Sequence, residues 1–236
     1  MPNGDENVNA VLVRLRILGF AVGVAGLGLA GAGFLYGLPQ ANDGLDSAQA
    51  MYEAQGVTLT YNENGQLVDR GTPEGAQKIL DLLEKDFAYP VDHEDLDPKD
   101  PLVNTRSELM YEYATITYHV LHTSVPVKLV QADVPITYGG TTYAEPGTYN
   151  ITVEHYYAHL NRTNPIERQL RDAWSPLALG LTSALAGAHA NQAAGELAQA
   201  TTLGIGGIGL LFAGAGAGLV WATWGVRVTP PTSKDP

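Results

Sequence analysis

The chain of 236 residues contains no cysteine. That excludes disulfides, zinc–thiolate sites, thiolate-held iron–sulfur clusters, haem attachment and thiol nucleophiles, along with any lipid anchor built on a cysteine. A domain with no disulfide must be held by its own core, which about 160 residues can supply. Basic residues are also scarce, with 13 Lys and Arg against 25 Asp and Glu and a formal net charge of −12. Nine of the 13 are scattered between Arg70 and Arg171 and form no stripe along the sequence. Nucleic-acid binding needs clustered Lys and Arg to meet phosphates, so the balance argues against it. The negative charge is expected to serve solubility.

Several motifs are missing too. There is no GxSxG elbow, P-loop or Rossmann glycine fingerprint. The glycine runs within residues 205–218 lie in an apolar stretch, where they cannot cradle phosphate.

Two long stretches lack charge altogether. Residues 17–38 read ILGFAVGVAGLGLAGAGFLYGL, and residues 203–224 read LGIGGIGLLFAGAGAGLVWATW. At about 1.5 Å per residue, each helix would be about 33 Å long, enough for the hydrocarbon core of a bilayer. Arg14 and Arg16 precede the first stretch. Trp221 and Trp224 close the second as interfacial anchors, and Arg227 follows. The inner flanks, residues 39–47 and 190–202, contain no Lys or Arg. The positive-inside rule then puts both termini in the cytoplasm.

The expected organisation is a cytoplasmic N-terminus at 1–16, a transmembrane helix at 17–38 and an extracytoplasmic domain at 39–202. A second transmembrane helix at 203–224 and a cytoplasmic tail at 225–236 complete it. A cleaved signal peptide is the competing reading of the first stretch. Against it, the stretch is longer than a normal signal core and stays apolar through Phe34, Leu35 and Tyr36.

Both stretches are rich in glycine. Gly19/Gly23, Gly33/Gly37 and Gly214/Gly218 are GxxxG pairs, and Ala213/Ala217 is a related pair of small residues. Small residues four apart make a flat strip that lets a second helix come close. The strips can serve contact between the two segments or contact with partner subunits, and both readings stand open. With no charge inside either stretch, a proton relay, ion path or voltage sensor on these helices is not expected.

The middle of the chain reads as α+β with a small antiparallel sheet. A short helix is expected over 43–55, capped by Asp43 and stopped by Gly56. Asn62-Glu63-Asn64-Gly65 reads as a hairpin turn. Thr72-Pro73-Glu74 starts a helix running to about Lys85. A helix over 105–121 should bury Leu109, Tyr113, Ile116 and Val120. Four β-type runs follow at 125–130, 134–138, 141–144 and 148–153, with tight turns at Gly139-Gly140 and Glu145-Pro146-Gly147. Asn164-Pro165-Ile166-Glu167 resembles a capping box. The Ala-rich stretch 177–200 reads as a helix leading into the second apolar segment, after a break near Pro176.

Six histidines are the first candidates for chemistry. His119 and His122 are three apart on an expected helix, and His155 and His159 are four apart. If both pairs share helix faces, they could assemble a metal site with Glu112 or Glu154. The carboxylates of 92–100 could hold calcium, although the loop lacks a central glycine and carries Pro98. Eight of the 12 tyrosines fall between Tyr111 and Tyr157, where they could form a contact surface or a core.

The layout resembles a group of two-helix membrane proteins of high-GC Gram-positive bacteria, often labelled aromatic ring-opening dioxygenases. The resemblance rests on the first helix, residues 49–56, Tyr157-Ala158-His159-Leu160 with Asn164-Pro165, and the Gly/Ala-rich last helix ending at Trp224. An iron dioxygenase needs a defined His/carboxylate site in a cavity, and the sequence offers none. The resemblance implies a membrane protein of unknown role.

The functional expectation is a non-catalytic accessory or scaffolding subunit of a larger membrane complex, respiratory or cell-envelope, with no cofactor. Its partners would be other integral membrane proteins or further copies of itself, within the lipid bilayer and without nucleic acid. The alternative is a membrane-tethered extracytoplasmic domain that binds a ligand or a metal.

Overall fold

The computed structural model describes residues 4–224, so Arg227 and the expected C-terminal tail lie outside the described residues. The chain divides into two compact units. One contains residues 4–47 and 194–224, and the other is Ala48–Ala193.

The first unit is built on two helical runs. Helix α1 (Gly4–Ala30) passes through a π-helical stretch, Gly31–Gly37, into α2 (Leu38–Glu53). The expected new helix start at Asp43 does not occur, and Asp43 lies within α2. The π-helical stretch accounts for this. The Leu38 N–H donates to the Gly33 carbonyl, five residues back, so the turn before Pro39 is wider than an α-turn. Proline lacks an N–H and crowds the carbonyl four residues earlier, and a wider turn directly before it relieves that crowding. The stop at Gly56 is as expected, with φ of +64°.

The last helix, α6 (Pro176–Trp224), is 49 residues long and starts at Ser175, whose hydroxyl accepts from the Ala178 N–H at 3.1 Å. The runs Val8–Glu53 and Pro176–Trp224 are long and apolar enough to cross a membrane. Only 22% and 17% of their most apolar windows are buried, whereas the core helix of a soluble protein would be mostly covered.

The second unit has two hydrophobic cores. One gathers Leu59, Ile79, Leu83, Val103, Leu109 and Tyr111, between α3 (Pro73–Asp81) and α4 (Arg106–Leu121). Thr72 caps α3 by accepting from the Gly75 N–H, and Pro73 fills its first position. Thr105 and Glu108 form a full capping box on α4. The expected hairpin is present: Tyr61 pairs with Leu67, and Gly65 takes a φ of +73°. The buried stripe of α4 is rotated from the expected one. Ser107, Tyr111, Ala114 and Thr117 face inward with Leu109 and Val120, while Tyr113 and Ile116 are half-buried. Small and polar residues mark that face, which is why a search for large apolar residues misplaced it.

The other core joins Val127, Leu129, Ile151, Val153, Ile166, Leu170 and Trp174. Strands β1 (Ser124–Leu129) and β4 (Gly147–Thr152) pair antiparallel, with Val127 opposite Tyr149. Strands β2 (Ile136–Tyr138) and β3 (Thr141–Tyr143) form a separate two-stranded sheet, so the four expected runs make two ribbons rather than one sheet. Gly139 and Gly140 both take positive φ between them, as a tight two-residue turn requires. The second edge of β1 is closed by a side chain. The Lys128 N–H donates to Gln169 Oε1 at 2.8 Å, and Gln169 Nε2 donates to the Lys128 carbonyl at 2.9 Å. Gln169 belongs to α5 (Pro165–Leu170), whose cap is Asn164. The Glu167 carboxylate accepts from the Asn161 N–H rather than from Asn164, so the expected reciprocal capping box is shifted by three residues.

Candidate functional site

Within the first unit, α1 with its π-helical continuation and the end of α6 run antiparallel, backbone close to backbone. The seam can be read from the space left at each glycine. A Cβ at Gly19 would come 2.9 Å from the Gly216 carbonyl oxygen, and one at Gly33 would come 2.6 Å from that of Thr202. A Cβ at Gly26 would fall on the Ala213 and Gly209 backbone, and one at Gly37 would meet the Thr202 methyl at 2.6 Å. From the other side, Gly216 faces Gly19 and Gly23, Gly209 faces Gly26 and Ala30, and Gly206 faces the Phe34 ring.

The seam residues on the first run are 19, 23, 26, 30, 33 and 37. On α6 they are 202, 206, 209, 213 and 216. Both series alternate steps of three and four, which is the 3.5-residue period of a left-handed helix pair. Of the residues singled out in the sequence, Gly19, Gly23, Gly33, Gly37 and Ala213 lie in this seam. Ala217 sits at its margin, with its N 3.9 Å from the Cβ position of Gly23. Gly214 and Gly218 face open space, with nothing within 4 Å of a Cβ placed on either. The sequence search missed Gly26, Gly206, Gly209 and Gly216. A scan for the alternating three-four spacing finds them where a scan for pairs four apart does not.

Polar groups close one end of the seam. The guanidinium of Arg16 donates to the Thr223 carbonyl, near the end of the described part of α6. Arg14 is exposed. Trp221 and Trp224 are also exposed, at 82% and 74%. With Phe20, Leu27 and Leu210 they wall an open apolar groove of about 830 Å³ beside the seam, and Gly23, Ala213 and Gly214 also line it.

The histidine pairs do not converge. His119 Nε2 lies 2.8 Å from Asp69 Oδ1, while His122 bonds through Nδ1 to the Tyr118 carbonyl and stacks on that ring. His155 lies outside any helix, and His159 ends the 3₁₀ turn Tyr157–His159, so they share no helix face. Among the described residues, no group of three or more His, Asp or Glu side chains gathers closely enough to hold a metal ion. In the acidic loop, Asp92 and Asp97 accept from the N–H groups of Glu94 and Lys99, so these carboxylates fold the loop itself. Of the clustered tyrosines, Tyr111 and Tyr138 are buried and the rest are half-buried, which makes them largely core residues.

The second unit holds a polar cluster around Asp69 and His119. Burial, and next the Asp69 charge, push the Glu112 carboxyl above the usual range. Burial likewise raises the Tyr111 hydroxyl, and it raises the Tyr61 hydroxyl to about 12. The hydroxyls of Tyr61 and Tyr111 have no hydrogen-bond partner among the described residues.

Comparison of this chain with protein-family models, with curated proteins and with solved structures finds no match.

Proposed function

We propose that this chain is a non-catalytic accessory subunit that crosses the membrane twice and packs against another integral membrane protein. In this reading both termini are cytoplasmic and Ala48–Ala193 lies outside. Arg14, Arg16 and Arg227 on the outer flanks, and the absence of basic residues on the inner ones, support that orientation. The exposed apolar surface of both helical runs supports their placement in lipid, since Phe20, Leu35, Leu211 and Trp221 are each at least 70% exposed.

The observation that carries the partner is the groove. Its lining continues the seam, sharing Gly19, Gly23, Ala213 and Gly216 with it, and Gly214 opens onto it. The helix pair thus satisfies its own glycine seam and still presents a second small-residue face beside large apolar walls. In lipid, helices associate through close packing rather than hydrophobic exclusion, and such a notch fits a third transmembrane helix. The expected host is a respiratory or cell-envelope complex.

The test is extraction in mild detergent followed by native mass spectrometry. The chain should travel with another membrane protein, and Gly214→Leu, which fills the groove, should release it while the chain stays folded. Recovery of the wild-type chain alone and monomeric would sink the reading, and recovery of homo-oligomers would replace the foreign partner with self-association.

A further inference from the structure

The second unit carries a cleft whose charge opposes that of the chain. It measures about 630 Å³ and is lined by Arg162, Arg168, Arg171, Tyr157, Trp174 and Leu179, together with Ser175, Pro176 and a single carboxylate, that of Asp172. Three of the 13 basic residues of an acidic chain therefore meet in one place. Local structure brings them there. Arg168 stands on α5, Arg171 opens the 3₁₀ turn Arg171–Ala173 that follows it, and Arg162 precedes the Asn164 cap.

Arg171 is fixed in place. Its Nη1 donates to the Tyr157 carbonyl at 3.0 Å and to the Leu160 carbonyl at 2.9 Å, and its guanidinium lies 3.7 Å from the centre of the Tyr157 ring. Arg171, and to a lesser degree Arg162, hold the Tyr157 hydroxyl below the usual phenol range, so positive potential reaches the cleft. Arg162 and Arg168 are exposed, and neither pairs with a carboxylate among the described residues.

Three guanidinium groups are held together here against the single carboxylate of Asp172, beside an apolar wall of Trp174, Pro176 and Leu179. Guanidinium groups match oxyanions through paired donors, and the volume is that of a small-molecule site rather than of a protein face. The geometry points to a binding site for a small organic anion, with a carboxylate or phosphate head on Arg162 and Arg168 and an apolar body against Trp174 and Leu179. This goes beyond the accessory-subunit reading and does not depend on it.

The test uses the full chain in a neutral detergent and isothermal titration calorimetry with phenyl phosphate. Saturable binding is expected, with inorganic phosphate binding more weakly because it leaves the apolar wall bare. Arg162→Gln with Arg168→Gln should weaken phenyl phosphate by about tenfold or more, as the loss of charge-assisted hydrogen bonds implies, with an unchanged thermal melt. Arg171 is left intact because it supports the Tyr157–Leu160 backbone. Two further arms titrate phenyl phosphate into the chain in nanodiscs of phosphatidylglycerol or of phosphatidylcholine. Displacement by phosphatidylglycerol alone assigns the site to a lipid headgroup, and equal binding in both assigns it to a soluble anion; either result supports an oxyanion site. Absence of saturable binding to the wild-type chain, or binding unchanged in a folded double variant, overturns the proposal.

Discussion

At the scale of single residues, Glu112 gives the sharpest expectation. Its carboxyl is raised first by burial and then by Asp69. The folded state therefore binds the proton more tightly than the unfolded chain does. The contribution of Glu112 to stability is full below the unfolded pKa and is lost as pH rises through the folded value. Above the unfolded pKa, ionising this half-buried carboxyl opposes folding. Glu112→Gln should raise the melting temperature at pH 7 by about 2–4 °C, and the gain should vanish as the pH falls to about 4. Thermal melts followed by near-UV circular dichroism across that range would check this, and a gain that persists at low pH would contradict it. This residue was barely legible in the sequence, where it entered only as a possible neighbour of the histidines. What raises it is burial in the folded unit and then Asp69, over forty positions earlier, and neither can be read from the residues around position 112.

At the scale of elements, local chemistry was the legible part. The Asn62–Gly65 turn, the caps at Thr72 and Asn164, and the glycine turn between β2 and β3 all formed as their residue types require. Features set by distant packing were not legible. The unbroken passage from α1 into α2 was not legible, because nothing local announces the π-helical stretch before Pro39. The buried stripe of α4 was misread because Ala114, Ser107 and Thr117 are small or polar.

Two element-scale predictions follow from the observed contacts. Gln169 closes the open edge of β1 with a pair of hydrogen bonds, so Gln169→Leu should cost about 1–3 kcal/mol in a denaturant titration of the full chain. At the seam, the Cβ of a side chain at Gly26 would meet backbone, which cannot give way as a flexible side chain can. Gly26→Val should weaken the helix pair by about 1–3 kcal/mol. The natural lack of cysteine makes this measurable. A disulfide between Gly23→Cys and Ala217→Cys should form readily, and adding Gly26→Val should suppress it. Equal yields with and without that change would contradict the seam.

At the scale of the whole molecule, the two apolar runs were evident from composition alone, and the structure extends both well beyond 17–38 and 203–224. The glycines were seen as helix contacts without their direction. The structure assigns most of them to the pairing of the two runs and leaves Gly214 and Gly218 outside it. The arginine cleft was invisible in the sequence, because Arg162, Arg168 and Arg171 read as scattered charges until α5 and its 3₁₀ turn bring them together. The central claim is that the chain crosses a membrane twice and holds Ala48–Ala193 outside the cell. With no native cysteine, single Asn9→Cys and Asn150→Cys variants report each side cleanly. A membrane-impermeant maleimide applied to intact cells should label the Asn150→Cys chain and leave the Asn9→Cys chain unlabelled until the cells are lysed. Labelling of Asn9→Cys in intact cells, or protection of Asn150→Cys, would contradict the account.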